Sequence, residues 1–359
     1  MPQDNFQPKN HDFVIPMTTH KPEFFFGYSR ASEARAKWPK FSTSPFKFLK
    51  HAAEKTLKLN PPQLFNRPFE ILQQAASGEG KPFGLVYGIP KTGNSTLRAT
   101  ASTVMHPFGV MGAHYLSDPS ICSGLGDFHL NPDSVKANVA IAMQDCVLLQ
   151  GFLKSVGFYH GYTALKPPEL RHYKIPLICG VRDPWRLVVS SIFYHFRQES
   201  PEVMTQKMEE AITLSQEYWS TAQENWFDTD FFPVTGFDPF ERPFDKEQGY
   251  SIYETESFRI LLIRTEKIAT KLPMALGELL SLSPESIIVQ DRNLGSERSN
   301  NQHYKIVLKT VAPSSDMLQR MYQSRFAKHF LLESERADAL TKATTLGAEK
   351  ESVANTKCY

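Results

Sequence analysis

The stretch Gly88-Ile-Pro-Lys-Thr-Gly-Asn-Ser-Thr-Leu97 gathers a lysine, two glycines and several hydroxyl side chains between an apolar run, Phe83 to Gly88, and a helix-competent segment, Ser95 to Met105. A turn between a strand and a helix offers backbone N–H groups and a helix N-terminus to an oxyanion, and phosphate is the obvious guest. Against the nucleotide-triphosphatase pattern GxxxxGK[ST] the loop has Gly88, Gly93 and Ser95, but Asn94 stands where the lysine should be. The lysine sits earlier, at Lys91. An ordinary P-loop pairs its lysine with β- and γ-phosphates while the hydroxyl holds Mg²⁺, so the displaced lysine suits a different phosphoryl-type donor. A Pro/Gly turn capped by serine or threonine is also common without any ligand, and the loop alone leaves both readings open.

A second candidate lies at the end of another apolar run, Pro176 to Val181, which continues into Arg182-Asp-Pro-Trp-Arg-Leu-Val-Val-Ser190. Proline at the first helical position keeps every helical hydrogen bond, so Pro184 marks a helix start, and Asp183 caps or neutralises that start rather than reacting. Arg182 then lies at the strand end and Ser190 about two turns into the helix, where a guanidinium and a hydroxyl can share a second phosphate.

Together these two elements resemble the P-loop-like sulfotransferases, whose loop for the 5′-phosphosulfate reads PKxGTTxL-like and whose 3′-phosphate element reads RxPxxxxxS-like. The resemblance implies that Lys91, Thr92, Gly93, Asn94, Ser95 and Thr96 hold the phosphosulfate end of 3′-phosphoadenosine-5′-phosphosulfate (PAPS), with Arg182 and Ser190 on the 3′-phosphate and no metal required. Later segments narrow it: Asn225-Trp-Phe-Asp, Gly236-Phe-Asp, Phe244-Asp245, Arg264-Thr-Glu-Lys267, Met321-Tyr-Gln-Ser-Arg and His329-Phe are similar to the sulfotransferase-like group of capsular polysaccharide synthesis proteins. The resemblance covers about residues 80 to 332. Its aromatic segments read equally as substrate contacts or as core packing. The chain departs from the cytosolic sulfotransferases in lacking a KGxxGxWK-like segment over the donor, and Asn301-Gln-His-Tyr-Lys305 stands as the substitute.

Transfer to a hydroxyl needs a base, and among 11 histidines the resemblance favours His160 in Phe158-Tyr-His-Gly161, read as a strand beside the donor site. The alternative is a buried, hydrogen-bonded strand histidine. His114, His129 and His195 are held in reserve, His195 as a structural residue on the apolar face of its helix. Lys91 is expected to steady charge on the leaving group.

These groups must be positioned by alternating strands and helices. Apolar residues recur at helical spacing from Asp133 to Val156, with Gly157 as a C-terminal stop. Phe158 to Leu165, Phe258 to Arg264 and Ile287 to Gln290 read as strands. Helices are expected over Pro45 to Leu59, Arg182 to Gln198, Pro201 to Gln223, after Arg264 to Leu280, and Ser314 to Leu332, with an aromatic loop from Asn225 to Phe232. The pattern implies an α/β fold of three layers, P-loop-like, with a central, mainly parallel sheet flanked by helices. Residues 1–80 read as an extension packed on the main domain, 81–332 as the sulfotransferase-like domain, and 333–359 as a polar tail.

With 41% hydrophobic and 22% charged residues the chain is composed like a globular protein. A formal net charge of +2 supplies no global field for nucleic acid. The 4 cysteines fall singly, which disfavours disulfides and a cysteine zinc site. No basic region followed by an apolar stretch opens the sequence and no run spans a bilayer, so a cytoplasmic location is expected, with a glycan or glycoconjugate acceptor as the partner. The competing readings are a P-loop nucleotide-dependent kinase and a non-catalytic nucleotide- or glycan-binding protein on the same fold. Acceptor identity and oligomeric state are not legible.

Overall fold

The computed structural model describes residues 61–105, 110–118, 120, 146, 149–196, 200–290, 304, 306, 311 and 313–341. Five strands form one sheet: β1 (Gly84–Tyr87), β2 (Val110–Ala113), β3 (Ile175–Val181), β4 (Tyr250–Glu254) and β5 (Phe258–Arg264), in the order β2-β1-β3-β5-β4. All neighbours are parallel except β4, which pairs antiparallel with β5 at the edge.

β3 is buried along its whole length. Its side chains alternate between two cores, as a pleated strand covered on both faces requires. Leu85, Tyr87, Leu177, Cys179, Ile260 and Leu262 enter one core, while Val86, Ile178, Leu261 and Ile263 enter the other. On the first face lie α1 (Pro61–Ser77), which contributes Ile71 and Leu72, and the helical residues 149–155. The second face is covered by α2 (Asn94–Val104) and α5 (Ile268–Leu280). A third apolar cluster joins α3 (Pro184–Phe196), α4 (Pro201–Trp226) and α6 (Ser315–Gln323), with Val188, Met204, Met208 and Met317 at its centre. The result is a three-layer α/β arrangement around a mostly parallel sheet.

Several expected elements are corrected. Phe158 to Leu165 is not a strand: Gly157 (φ 73°) and Gly161 (φ 80°) turn the chain, and Thr163–Leu165 form a 3₁₀ turn. Gly157 does stop the helix before it, as expected, because Phe158 N–H donates back to Leu153 O at 2.9 Å. The aromatic stretch from Asn225 is not a loop; α4 runs on to Trp226 and widens into a π turn at Phe227–Phe231, which carries Asp230 inward. Ile287 to Gln290 forms no strand. The helix expected over Ser314 to Leu332 breaks at Ser324, whose hydroxyl instead caps α7 (Arg325–Phe330) by accepting from Ala327 N–H at 3.1 Å. β2 and β4 went unread. Residues 333–341 are helical, and Glu335 grips the buried Arg264 with two hydrogen bonds of 2.8 and 2.9 Å. The helix expected over Pro45 to Leu59 lies outside the described residues.

Candidate active site at the sheet's switch point

The connection from β1 leads outward to β2, whereas β3 lies on the other side of β1. The strand order therefore reverses between β1 and β3, and in open α/β sheets ligands enter the crevice beyond the carboxyl ends of such a strand pair. The Lys91 loop leaves β1 there, and Arg182 directly follows β3. The two elements touch: Arg182 Nη1 donates to Lys91 O at 2.7 Å. That bond holds an unusual backbone, since Lys91 is left-handed (φ 71°), a conformation that costs a non-glycine residue about 1–2 kcal/mol. Gly93 is left-handed as well (φ 83°) and caps α2 without a side chain, so the first-turn amides of α2 have no protein side-chain acceptor from that position. Close approach explains Gly180: a Cβ there would come within 2.1 Å of Thr92 O.

The loop's own side chains divide into two sets. Thr92 is buried, and its hydroxyl donates to Ile89 O at 2.8 Å. Asn94 spends its amide hydrogens on Gly88 O and Ile89 O, both at 3.0 Å. These two side chains shape the turn. Lys91 Nζ lies 3.2 Å from the centroid of the Tyr194 ring on α3, a cation–π contact that draws the helix carrying Ser190 to the loop. Ser95 is exposed at the start of α2, and Thr96 is buried. Ser190 is half-buried, and its hydroxyl makes no hydrogen bond among the described residues.

Arg182 is clamped through its backbone by Gln223 of α4, which accepts from Arg182 N–H at 3.2 Å and donates to Arg182 O at 2.8 Å. Asp183 caps α3, accepting from Arg186 N–H at 2.9 Å, and also takes the Tyr322 hydroxyl at 2.8 Å. Beyond β5, the strand next to β3, the turn Thr265–Lys267 brings Glu266 alongside: Asp183 N–H donates to Glu266 Oε1 at 3.2 Å. Burial, and next among the charges nearby Asp183, push the Glu266 carboxyl above its ordinary range.

The histidines separate. His114, just past β2, places Nδ1 2.7 Å from Gly88 O. Asn94 Nδ2 also lies 3.2 Å from this nitrogen, but the shorter contact is to a carbonyl, which only accepts, and it puts the hydrogen on Nδ1 and leaves Nε2 as the basic nitrogen. Burial first, and the Lys91 cation after it, hold this imidazole below its ordinary pKa. His160 is exposed; its N–H donates to Val234 O at 2.9 Å and its ring lies 6.0 Å from Phe232. Its described contacts do not include the Lys91 loop or Arg182. His195 belongs to α3 by its backbone, and His129 lies outside the described residues. Of the segment Asn301 to Lys305, Tyr304 is described, edge-on to Phe193 of α3 at 5.2 Å.

Sequence reading missed Gln223 and gave Glu266 and Tyr322 no place at this crevice. The signal for the latter two was their position in Arg264-Thr-Glu-Lys267 and Met321-Tyr-Gln-Ser-Arg, segments singled out for the family resemblance.

Residues 204–332, a little over a third of the chain, match the family model NKWYS, described as "Putative capsular polysaccharide synthesis protein". The match takes in Gln223, Asp230, Glu266 and Tyr322 and begins after Lys91 and Arg182. No curated protein and no solved structure matches the chain.

Proposed function

We propose that the protein is a P-loop-like sulfotransferase that moves a sulfuryl group from PAPS to a hydroxyl of a glycan or glycoconjugate. The observation that carries the reading is the 2.7 Å bond from Arg182 to Lys91 O at the β1/β3 switch point. It joins the two anion-binding elements into one crevice, and it leaves Arg182 Nε shielded from solvent with no hydrogen-bond partner among the described residues. A guanidinium N–H in that condition calls for an acceptor such as phosphate. The capsular polysaccharide family match supports a glycan as the acceptor class.

In the reaction the acceptor oxygen bonds to sulfur as the sulfur–oxygen bond to the 5′-phosphate breaks, 3′-phosphoadenosine-5′-phosphate leaves, and the acceptor proton passes to a base. Lys91, with the amides of its loop and of α2, steadies the charge on the departing phosphate. Arg182 and Ser190 hold the 3′-phosphate and so fix the donor's register. His114 fits the base better than His160, because its tautomer is set by Gly88 and its lowered pKa keeps Nε2 unprotonated near neutral pH. The kinase reading weakens at Asn94, which stands at the lysine position of a nucleotide triphosphatase with its amide hydrogens already engaged by the loop.

Calorimetry on the full chain tests the reading. Binding of 3′-phosphoadenosine-5′-phosphate should exceed that of adenosine-5′-phosphate and survive a chelator. Binding that needs Mg²⁺, or a preference for ATP, transfers the assignment to a kinase; tight donor binding with no transfer to any glycan in a panel favours the non-catalytic reading.

A further inference from the structure

Three polar atoms in the crevice are shielded from solvent and have no hydrogen-bond partner among the described residues: Arg182 Nε, Glu266 Oε2 and the Tyr304 hydroxyl. They form one group. Glu266 feels the charges of Arg182 and Asp183, and Tyr304 feels those of Arg182, Arg186, Asp183 and Glu266. Buried polar groups are ordinarily paired, and those left over at a crevice mark where a ligand supplies the missing partners.

The orphan atoms also specify what the partner must be. Arg182 Nε is a donor and needs an acceptor, which an anion provides. Glu266 Oε2 cannot take the same anion, because an ionised carboxylate repels it; Oε2 needs a hydrogen donor placed beside the anion. Glu266 Oε1 is occupied by Asp183 N–H, so the carboxyl group cannot turn away without breaking that bond. No ion pair joins Arg182 to Glu266 among the described residues, even though their parent strands are direct neighbours with Val181 opposite Arg264. The two side chains are thus polar walls at the ends of neighbouring strands, cationic on one side and carboxylic on the other.

We propose that Glu266 reads the 2′-hydroxyl of the donor ribose next to the 3′-phosphate held by Arg182, making it a specificity-determining residue for ribonucleotide over deoxyribonucleotide donors. The proposal rests on the sulfotransferase reading and adds to it a residue that neither phosphate element contains. A phosphate with a hydroxyl on the adjacent carbon matches the pair of walls. Such a hydroxyl both donates and accepts, so it also suits the raised pKa of Glu266 if the carboxyl carries a proton.

The test is titration calorimetry on the full-length protein with three ligands: 3′-phosphoadenosine-5′-phosphate, its 2′-deoxy analogue and adenosine-5′-phosphate. Wild type should bind the first about tenfold to a hundredfold more tightly than the 2′-deoxy analogue, the size expected of one hydrogen bond to a charged group. Glu266→Ala should bring that ratio close to one while keeping the preference for the 3′-phosphate over adenosine-5′-phosphate, which also reports an intact site. Equal binding of ribo and deoxy ligands by wild type, with the 3′-phosphate preference present, overturns the role of Glu266 and spares the sulfotransferase reading. Loss of the 3′-phosphate preference in wild type itself overturns both. Should Glu266→Ala fail to fold, Glu266→Met, which keeps the bulk of the side chain, takes its place, and a ribo-over-deoxy ratio as large as that of wild type overturns the role of Glu266.

Discussion

Two buried carboxyl groups in this protein meet opposite fates. Asp230, on the π turn after α4, is fully buried and completely engaged: its oxygens accept from the Tyr87 hydroxyl, from Leu116 N–H at 2.8 Å, and from the Ser117 hydroxyl at 3.0 Å. Glu266, at the mouth of the switch-point crevice, has one oxygen engaged and the other without a partner. Burial raises the pKa of both. What differs is satisfaction: a buried carboxyl whose hydrogen bonds are all met within the chain ties elements together, whereas one left incomplete is free to recognise something from outside. Asp230 pins the end of β1 and the chain after β2 to α4. Glu266 keeps one oxygen without a partner beside a loop that is already bent and held.

That contrast predicts that damage to the first region appears as instability and damage to the second as lost binding or turnover. The largest effect is expected at Asp230. Asp230→Ala leaves the Tyr87 hydroxyl, Leu116 N–H and Ser117 without their acceptor inside the core, which should cost roughly 3–5 kcal/mol, the range for removing one partner of a buried charged network. Urea unfolding measures it; a loss below about 1 kcal/mol, the worth of a single ordinary hydrogen bond, would show the network to be incidental.

The next comparison is kinetic. His114→Ala should lower sulfuryl transfer by about 10²–10⁴-fold, the usual contribution of a general base, with donor affinity nearly kept. His160→Ala, distant in its described contacts from the loop, should change transfer little. If His160→Ala carries the loss and His114→Ala does not, the base assignment reverses.

Arg182→Ala combined with Ser190→Ala should reduce the preference for 3′-phosphoadenosine-5′-phosphate over adenosine-5′-phosphate by about a hundredfold, since hydrogen bonds to charged groups contribute about 1.5–3 kcal/mol each. Because both ligands share everything but the 3′-phosphate, general damage lowers both affinities together and is recognised. A double variant with its preference undiminished removes these residues from the donor site.

The smallest effect concerns Glu335, partly exposed, which pairs with Arg264 at the end of β5. Burial raises this carboxyl, but the hydrogen bonds from Arg264 and Leu332 N–H outweigh burial and the net shift is downward. A carboxylate with a depressed folded pKa stabilises the fold above its unfolded value, and that contribution disappears as the pH falls through the folded value. Glu335→Gln should therefore cost about 1 kcal/mol at neutral pH, discounted for exposure, and the difference from wild type should shrink on acidification below about pH 4. A cost that stays constant with pH would assign the effect to packing instead.

Local chemistry made much of this molecule legible in advance. The apolar run of β3 lacks polar alternation because both its faces are covered, and the proline at position 184 and the glycine at 157 act within one turn of themselves. For the same reason the Lys91 loop and the Arg182 element could be picked out as strand ends followed by helix starts. β2 escaped notice because Val110-Met-Gly-Ala113 is only four residues long and borrows its strand character from β1. The strand expected over Phe158 to Leu165 failed because a segment with two left-handed glycines and one apolar run resembles a strand until the turn is formed.

The sequence by itself determined the two strand-to-helix junctions at Lys91 and Arg182 and the alternation of strands and helices, since these depend on residues a few positions apart. Only the tertiary structure decided that the junctions meet, that Arg182 holds the Lys91 carbonyl, and that His114, Gln223 and Glu266 come to the same crevice from β2, α4 and β5. The reason is physical: which strand lies beside which is settled by the packing of the whole sheet, and contacts across 26 to 91 residues of chain leave no periodic trace in any one segment.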